Sequence, residues 1–354
     1  MRNRFQNIIT LRIDAKETII TSHIFVYSFK ETFFDPLKAL KLSRKLVLLM
    51  ISLVFLTQVN SSPMKTLRIT GVPEHFNFPW KKVVAAQPFE KQGITLQWSD
   101  ESRGSGQMNK DLREDKTDIA IVLTESFLKD FEAGNPSKMI GLHVKSPLIW
   151  GIHISGNSPV NSLDEIIDPT FLISRIGSGS QLMSYVLAKR EGWNSENLDF
   201  KTVNNLPGAL EVMTSEKPEM FLWEKYTTKP WVDTKQMKRI GEVPSPWPCF
   251  AIIASNKALA EFGELIFQLR DLVYVASQKL QSDSNSVIGE ISRNYELSEI
   301  DVKEWFAQTL WATDAEVSKF QLDKSMEIMK ELGIITNKLP FEQFLVADHI
   351  SIID

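Results

Sequence analysis

The chain reads as an α/β protein of two lobes, and three observations predict it. From Met64 onward, short apolar strands alternate with helical stretches. The run Asp118–Leu123 (DIAIVL) is almost continuously apolar, the pattern of a strand covered on both faces in a largely parallel sheet. A chain of 354 residues is also longer than one hydrophobic core usually organises.

Residues 1–63 stand apart from this pattern. All nine tryptophans lie beyond them, and they carry nine Lys/Arg against four Asp/Glu. The apolar run Leu46–Leu56, eleven residues, is too short to span a bilayer comfortably. Its basic front (Lys41, Arg44, Lys45) and small polar exit (Asn60, Ser61, Ser62) give it the layout of a secretory signal, displaced from the N-terminus. Two readings follow: a non-native extension ahead of MKTLRITGVPEHF, with a cytoplasmic protein starting at Met64, or a signal over 41–63 and an exported one. On either reading residues 1–63 are not part of the fold.

The elements follow in order. Thr66–Val72 reads as a strand. Pro79–Lys91 reads as a helix interrupted near Pro88 and stopped at Gly93. Ile94–Ser99 is a second strand, Gly104–Glu114 a helix opened by GSG, and Asp118–Leu123 the third strand. Pro147–Ile154 is extended, and a short helix follows within 157–169. The next elements are a strand at Phe171–Ile176, helices at Ser180–Glu191 and Leu206–Thr214, and strands at Glu219–Glu224, Lys238–Val243 and Cys249–Ala254. Helices fill 256–283, 286–296, 298–312 and 315–332.

The net charge of −4 argues against a nucleic-acid binder, which usually carries a basic excess. A single cysteine, Cys249, leaves no internal disulfide, and its apolar surroundings mark it as a small core residue. The five histidines show no metal-binding spacing, and no GxSxG, Walker A or GxGxxG motif occurs. No metal, cofactor or catalytic group is expected.

What remains is a set of polar and aromatic loops at strand ends, where open α/β sheets bind ligands. SRIGSGSQLM (174–183) leads into a helix. One serine suffices as its cap, whereas Gly177 and Gly179 also free backbone N–H groups of Ser178, Ser180 and Gln181 for a polar or anionic ligand, with Arg175 beside them. ESRGSGQM (101–108) repeats the Gly-Ser-Gly elbow, LTES (123–126) ends a strand with a carboxylate and hydroxyls, and GVPEHFNFPW (71–80) is rich in aromatics. In FLWEKYTTKPW (221–231), Trp223 and Glu224 are adjacent on a strand, so both cannot be core. VPSPWPCF (243–250), with three prolines, reads as a stiff connection paired with the extended Trp150–Ser155.

PEHF, RGSGQM, DIAIVLTES, SRIGSGSQLM, FLWEKYTTKP and PSPWPCF, in this order, resemble the type 2 periplasmic substrate-binding proteins. The branch is the one with nitrate-, sulfonate- and thiamine-pyrimidine-related members, and the likeness is greatest to a small fungal and bacterial subgroup. The resemblance implies an α/β, two-lobed fold with two crossing strands and the C-terminal helices on the first lobe. Lobe 1 would be 64–150 plus 250–354, and lobe 2 would be 151–249. Carried over by position, Glu125 and Ser126 match the first-lobe strand end, Trp150 the first crossing, Ser178–Gln181 the second-lobe helix mouth, and Trp223 and Glu224 the strand end facing the cleft. The implied function is capture of a small polar, anionic or heteroaromatic molecule by a monomer, with an ABC-type permease as further partner. The alternative is an enzyme of thiamine-pyrimidine or related cofactor biosynthesis on the same scaffold; its cysteine-rich iron-binding motif is absent from this chain.

Overall fold

The structure, a computed structural model, describes residues 64–354. The expectations for residues 1–63, including the signal-like stretch 41–63, lie outside the described residues. Strands β1 (Lys65–Gly71), β2 (Ile94–Asp100), β3 (Ile119–Leu123), β4 (Lys138–Val144) and β10 (Phe250–Ala254) form a five-stranded sheet ordered β2-β1-β3-β10-β4. Strands β5 (Ile149–Ser155), β6 (Thr170–Ile173), β7 (Asp199–Thr202), β8 (Met220–Glu224) and β9 (Met237–Pro244) form a second, ordered β7-β6-β8-β5-β9. Helices α1 (Phe78–Ala85), α2 (Ser105–Arg113) and α3 (Thr124–Glu132) belong to the first half, and α4 (Gly179–Glu191), α5 (Leu206–Val212) and α6 (Lys229–Asp233) to the second.

Both sheets are mixed, where the sequence predicted a largely parallel arrangement. In the first, β1 pairs parallel with β2 and β3, but β10 runs antiparallel to β3 and β4. In the second, β6 is parallel to β7 and β8, and β5 is antiparallel to β8 and β9. The physical reason is the route of the chain. A helical crossover returns the chain to the same edge of a sheet and makes parallel neighbours. Strands β5 and β10 instead arrive directly from the other sheet, entering at the end where the parallel strands finish.

Those two passages, 145–148 and 245–249, lie side by side. Ser245 N donates to Leu148 O (2.9 Å), Leu148 N donates to Ser245 Oγ (3.0 Å), and Cys249 N donates to Ser146 O (3.1 Å). The prolines at 244, 246 and 248 restrict the second passage, so these bonds join two stiff segments.

The C-terminal elements are α7 (Asn256–Phe262), α8 (Glu264–Ser282), α9 (Ser284–Tyr295), α10 (Glu299–Gln308), α11 (Lys319–Glu331) and α12 (Phe341–Phe344). They pack on the first sheet: on α8, Arg270 Nη1 donates to Ile140 O (2.9 Å) and Tyr274 OH donates to Leu142 O (2.9 Å). The predicted helix 256–283 is two helices broken at Gly263, and part of 315–332 is the short strand β11 (Glu316–Ser318), paired with β12 (Ser351–Ile353). The helix predicted over 79–91 ends at Ala85, because Pro88 has no N–H to continue it. Strands β4 and β7 and helix α3 carry no prediction. β7 (DFKT) is too short and polar to show a period, while β4 (KMIGLHV) is a short apolar run that periodicity does not assign and α3 carries its apolar residues Phe127, Leu128 and Phe131 within only nine residues.

Among the described residues no helix is long and apolar enough to cross a membrane.

Candidate functional site

The parallel strands of both sheets end at one cleft, and β5 and β10 begin there. Its walls hold the last residues of β3 and β8 (Leu123, Glu224) and the starts of β5 and β10 (Trp150, Phe250). The first half adds Val72, Glu74, Arg103, Gly104 and Ser105; the second adds Ser174, Arg175, Ser178, Gly179, Ser180 and Trp223. Leu148, on the first passage, closes the floor. Counted out to its open mouth and including the solvent there, the cleft measures about 470 Å³.

At the α4 mouth, most of the groups the sequence offered to a ligand are bonded within the turn. Ser178 Oγ caps the helix by accepting from Gln181 N (3.4 Å), and Gly177 N donates to Gln181 Oε1 (2.6 Å). Ser178 N donates to Arg175 O (3.1 Å), and Ser180 Oγ accepts from Ser174 N (3.1 Å). Of the four N–H groups from Gly177 to Ser180, those of Gly179 and Ser180 donate to nothing among the described residues. Gly177, at φ +76°, shapes the turn, and Gly179 gives α4 its close approach: a Cβ there would lie 2.6 Å from Leu123 and 3.2 Å from the Trp150 ring. Gly177 and Gln181 therefore lie off the cleft wall, while Ser178, Gly179 and Ser180 are on it.

Arg175 reaches across the cleft. Its Nη1 donates to Arg103 O (3.0 Å), and its guanidinium lies flat over Gly106 of α2, where any Cβ would overlap it. Arg103 is itself held by Glu101 through a 2.7 Å ion pair that keeps the Glu101 carboxyl below its usual range. Both arginines thus have partners at the rim.

The acidic groups of the cleft, one from each half, are far less satisfied. Glu224, 3% exposed, accepts at Oε2 from Tyr226 N (3.0 Å), Thr227 N (2.6 Å) and Thr227 Oγ1 (2.8 Å). Its Oε1 accepts no hydrogen bond among the described residues. Glu74, 8% exposed, has neither carboxyl oxygen bonded. Burial, with the Glu224 charge adding to it, pushes the Glu74 carboxyl up to about 8. Burial also raises Glu224, an effect that its bonds to Thr227 and Tyr226 and the Arg239 charge oppose.

Glu125 stands in the first turn of α3 rather than in a loop, 1% exposed and just off the cleft wall. Neither of its oxygens has a hydrogen-bond partner, and burial pushes it up to about 8. The Trp247 indole N–H offsets that only in part, its geometry falling short of a hydrogen bond. Burial raises the Cys249 thiol as well, and the charges of Glu125, Glu74 and Glu224 all reinforce the shift. Ser126 has another role: its carbonyl and Oγ accept from Asn109 Nδ2 (3.0 and 3.2 Å), tying α3 to α2.

Trp150 is 4% exposed with an unpartnered Nε1. Trp223 is half-buried and stacks on Phe221, ring centroids 5.1 Å apart. Glu74, Arg103 and Ser105 escaped sequence reasoning as individual residues. The loops that hold them, GVPEHF and ESRGSG, were visible, but nothing local marks which residue of a loop faces inward. Among the described residues, no group of three or more His, Cys, Asp or Glu side chains is placed to hold a metal ion.

Comparison with known proteins bears on fold and family. Residues 150–243 match the family model of the Ca3427-like PBP. The chain is similar to the Candida albicans CA3427 gene product, described as defining a new family with the generic periplasmic binding protein fold. Identity is 25%, coverage 79% of this chain and 95% of that one, and the TM-score 0.71. It also resembles the alkanesulfonate-binding protein SsuA from Xanthomonas axonopodis pv. citri bound to MOPS (12% identity, 82% and 100% covered, TM-score 0.66). A third likeness is to a zinc-bound ligand-binding component of an ABC-type import system from Staphylococcus aureus (13% identity, 79% and 96% covered, TM-score 0.63). No curated protein sequence matches the chain. These solved neighbours share the two-lobed periplasmic-binding-protein fold.

Proposed function

We propose that this chain, a member of the type 2 periplasmic-binding-protein-like family, is a binding module that closes its two lobes on one small polar molecule. The observation that carries the reading is the composition of the cleft. Side chains from both halves line one space, from Glu74, Ser105 and Leu123 on one side to Trp150, Gly179 and Glu224 on the other. Only two stiff passages, bonded to each other, join the halves, and such a pair can act as a hinge. The lobe boundaries in this reading fall within 145–149 and 245–250.

A flat portion of the ligand would lie against Trp150 and Trp223, while Gly179 N, Ser180 N and Glu224 Oε1 are the groups left for its polar atoms. Delivery to an ABC-type permease is the partner arrangement that the likeness to an import-system component supports, and the chain would act there as a monomer.

The test is native mass spectrometry of the purified full chain for a co-purifying small molecule, then its re-addition. At a hundredfold excess over its dissociation constant, a ligand specific for the folded state adds about 2.7 kcal/mol of stability. X-ray scattering should show compaction, and the molecule should be recovered unchanged. Recovery of a converted product would instead favour an enzyme of pyrimidine or related cofactor biosynthesis. No ligand-dependent change in scattering would remove the hinge.

A further inference from the structure

Resting on the binding reading above, we propose that the cleft selects a planar organic cation. Its recognised group would be a protonated nitrogen donor of amidinium or amino-heteroaromatic type, held between Glu74 and Glu224. The argument is a balance of donors and acceptors. On the acidic side, Glu224 Oε2 is saturated by three bonds that fix the carboxyl, which leaves Oε1 as a positioned, unpartnered acceptor. Glu74 offers two more free oxygens from the opposite lobe, and Glu125 stands behind them with both oxygens unpartnered and buried.

On the basic side, Arg103 is paired with Glu101, whereas Arg175 gives one N–H to the Arg103 carbonyl and has no carboxylate partner among the described residues, and the α4 mouth offers the N–H groups of Gly179 and Ser180. An anion of sulfonate or carboxylate type could engage that side but would leave the acceptors of Glu74 and Glu224 unmatched. A donor-rich cation would meet three acceptors between Glu74 and Glu224 and keep a ring nitrogen or carbonyl for the helix mouth. The glutamates are not grouped to share a metal ion, and the Trp150 and Trp223 rings suit a flat cation.

Other charged and titratable groups face this cluster too. Cys249 is within electrostatic reach of the three carboxyls, Tyr295 and His75 are beside Glu74, and Tyr226 and Arg239 are beside Glu224. Of these only Arg239 is cationic near neutrality, because burial holds His75 uncharged down to about 3. Burial by itself favours protonated glutamates, so entry of a cation displaces protons.

The test uses two probes of nearly identical shape and opposite charge, benzamidine and benzoate, titrated calorimetrically into the full chain between pH 6 and pH 9. Benzamidine should bind with release of protons. Its affinity should rise with pH, by up to about tenfold per pH unit for each proton displaced, and level off above about pH 8. Benzoate should show no binding. Glu224→Gln should weaken benzamidine at least tenfold while leaving the melting temperature at pH 6 near that of the parent. Equal or tighter binding of benzoate would overturn the inference; if benzoate also compacts the protein in scattering, the two-lobed binding reading survives on its own. Failure of both probes, or tighter binding of Zn²⁺ or Ca²⁺ than of benzamidine, also overturns it. In those cases the co-purification experiment decides the broader reading independently.

Discussion

The two walls of the cleft solve opposite problems. The α4 mouth, SRIGSGS, is the stretch that local sequence advertises as a ligand site, yet its serines and Gln181 bond mostly to their own turn. The wall made by Glu74 and Glu224 is assembled from a loop after β1 and the end of β8, some 150 positions apart, and its acceptors are left open. A compact motif can satisfy itself because its groups are neighbours in the chain. Buried acceptors from distant segments cannot, and those left without partners are the groups that a ligand's donors would meet.

The largest effect should come from Trp150, which touches both walls. Trp150→Ala should cost about 3–5 kcal/mol in a urea titration, since a buried indole leaves a cavity. Near-wild-type stability would show that the ring is held loosely and does not brace the two halves. The acidic wall should show itself next, through pH. Glu74 and Glu125 keep their protons to about pH 8 in the folded chain, whereas in the unfolded chain they lose them near the ordinary glutamate value. Between those limits the folded state binds more protons, so stability falls as pH rises and the loss is complete above about 8. Every tenfold difference in proton affinity between the two states is worth about 1.4 kcal/mol at most. Glu125→Gln should flatten that profile and leave the variant more stable than the parent at pH 9. A parallel profile would mean that water reaches the carboxyl.

At the donor wall the effect should be smaller. Gly177 sits at φ +76°, so Gly177→Ala should cost about 1–2 kcal/mol from the left-handed backbone alone. Because Gly177 lies off the cleft wall, benzamidine affinity should change little; a large loss would return the α4 mouth to the centre of recognition.

The order of βα units, the helix over Gly179–Glu191 and the strand ending at Glu224 were legible, because periodicity, caps and glycine stops are local signals. The mixed sheets were not: the direction of β5 and β10 depends on which sheet receives the chain, and no period encodes that. The same limit applies to the site. Glu224 was named from its strand end, Arg175 from the loop before the helix mouth and Trp150 from the expected crossing, and the structure lines the cleft with them. Gln181, named from the helix mouth, and Ser126, named from a strand end, are spent on the turn and on Asn109. Strand-end position brings a residue near the cleft; its final hydrogen-bond partner decides whether it faces inward.

The smallest effect expected is the most specific to the contact between lobes. Gly106 lies near the start of α2, and the Arg175 guanidinium rests where its Cβ would be, 1.4 Å from Nη2. Gly106→Ala asks little of the helix, where alanine is the better former, by up to about 1 kcal/mol. It also leaves the core untouched, because what must move is the far end of a flexible side chain. What it removes is the seat from which Arg175 donates to the Arg103 carbonyl. The melting temperature should therefore hold or rise slightly, while scattering of the ligand-free protein shifts toward a more open pair of lobes. Arg175→Lys, which cannot lie flat in the same place, should produce the same opening without touching α2. If both variants keep the parent's scattering profile, Arg175 is a rim side chain that follows the lobes rather than one that holds them together.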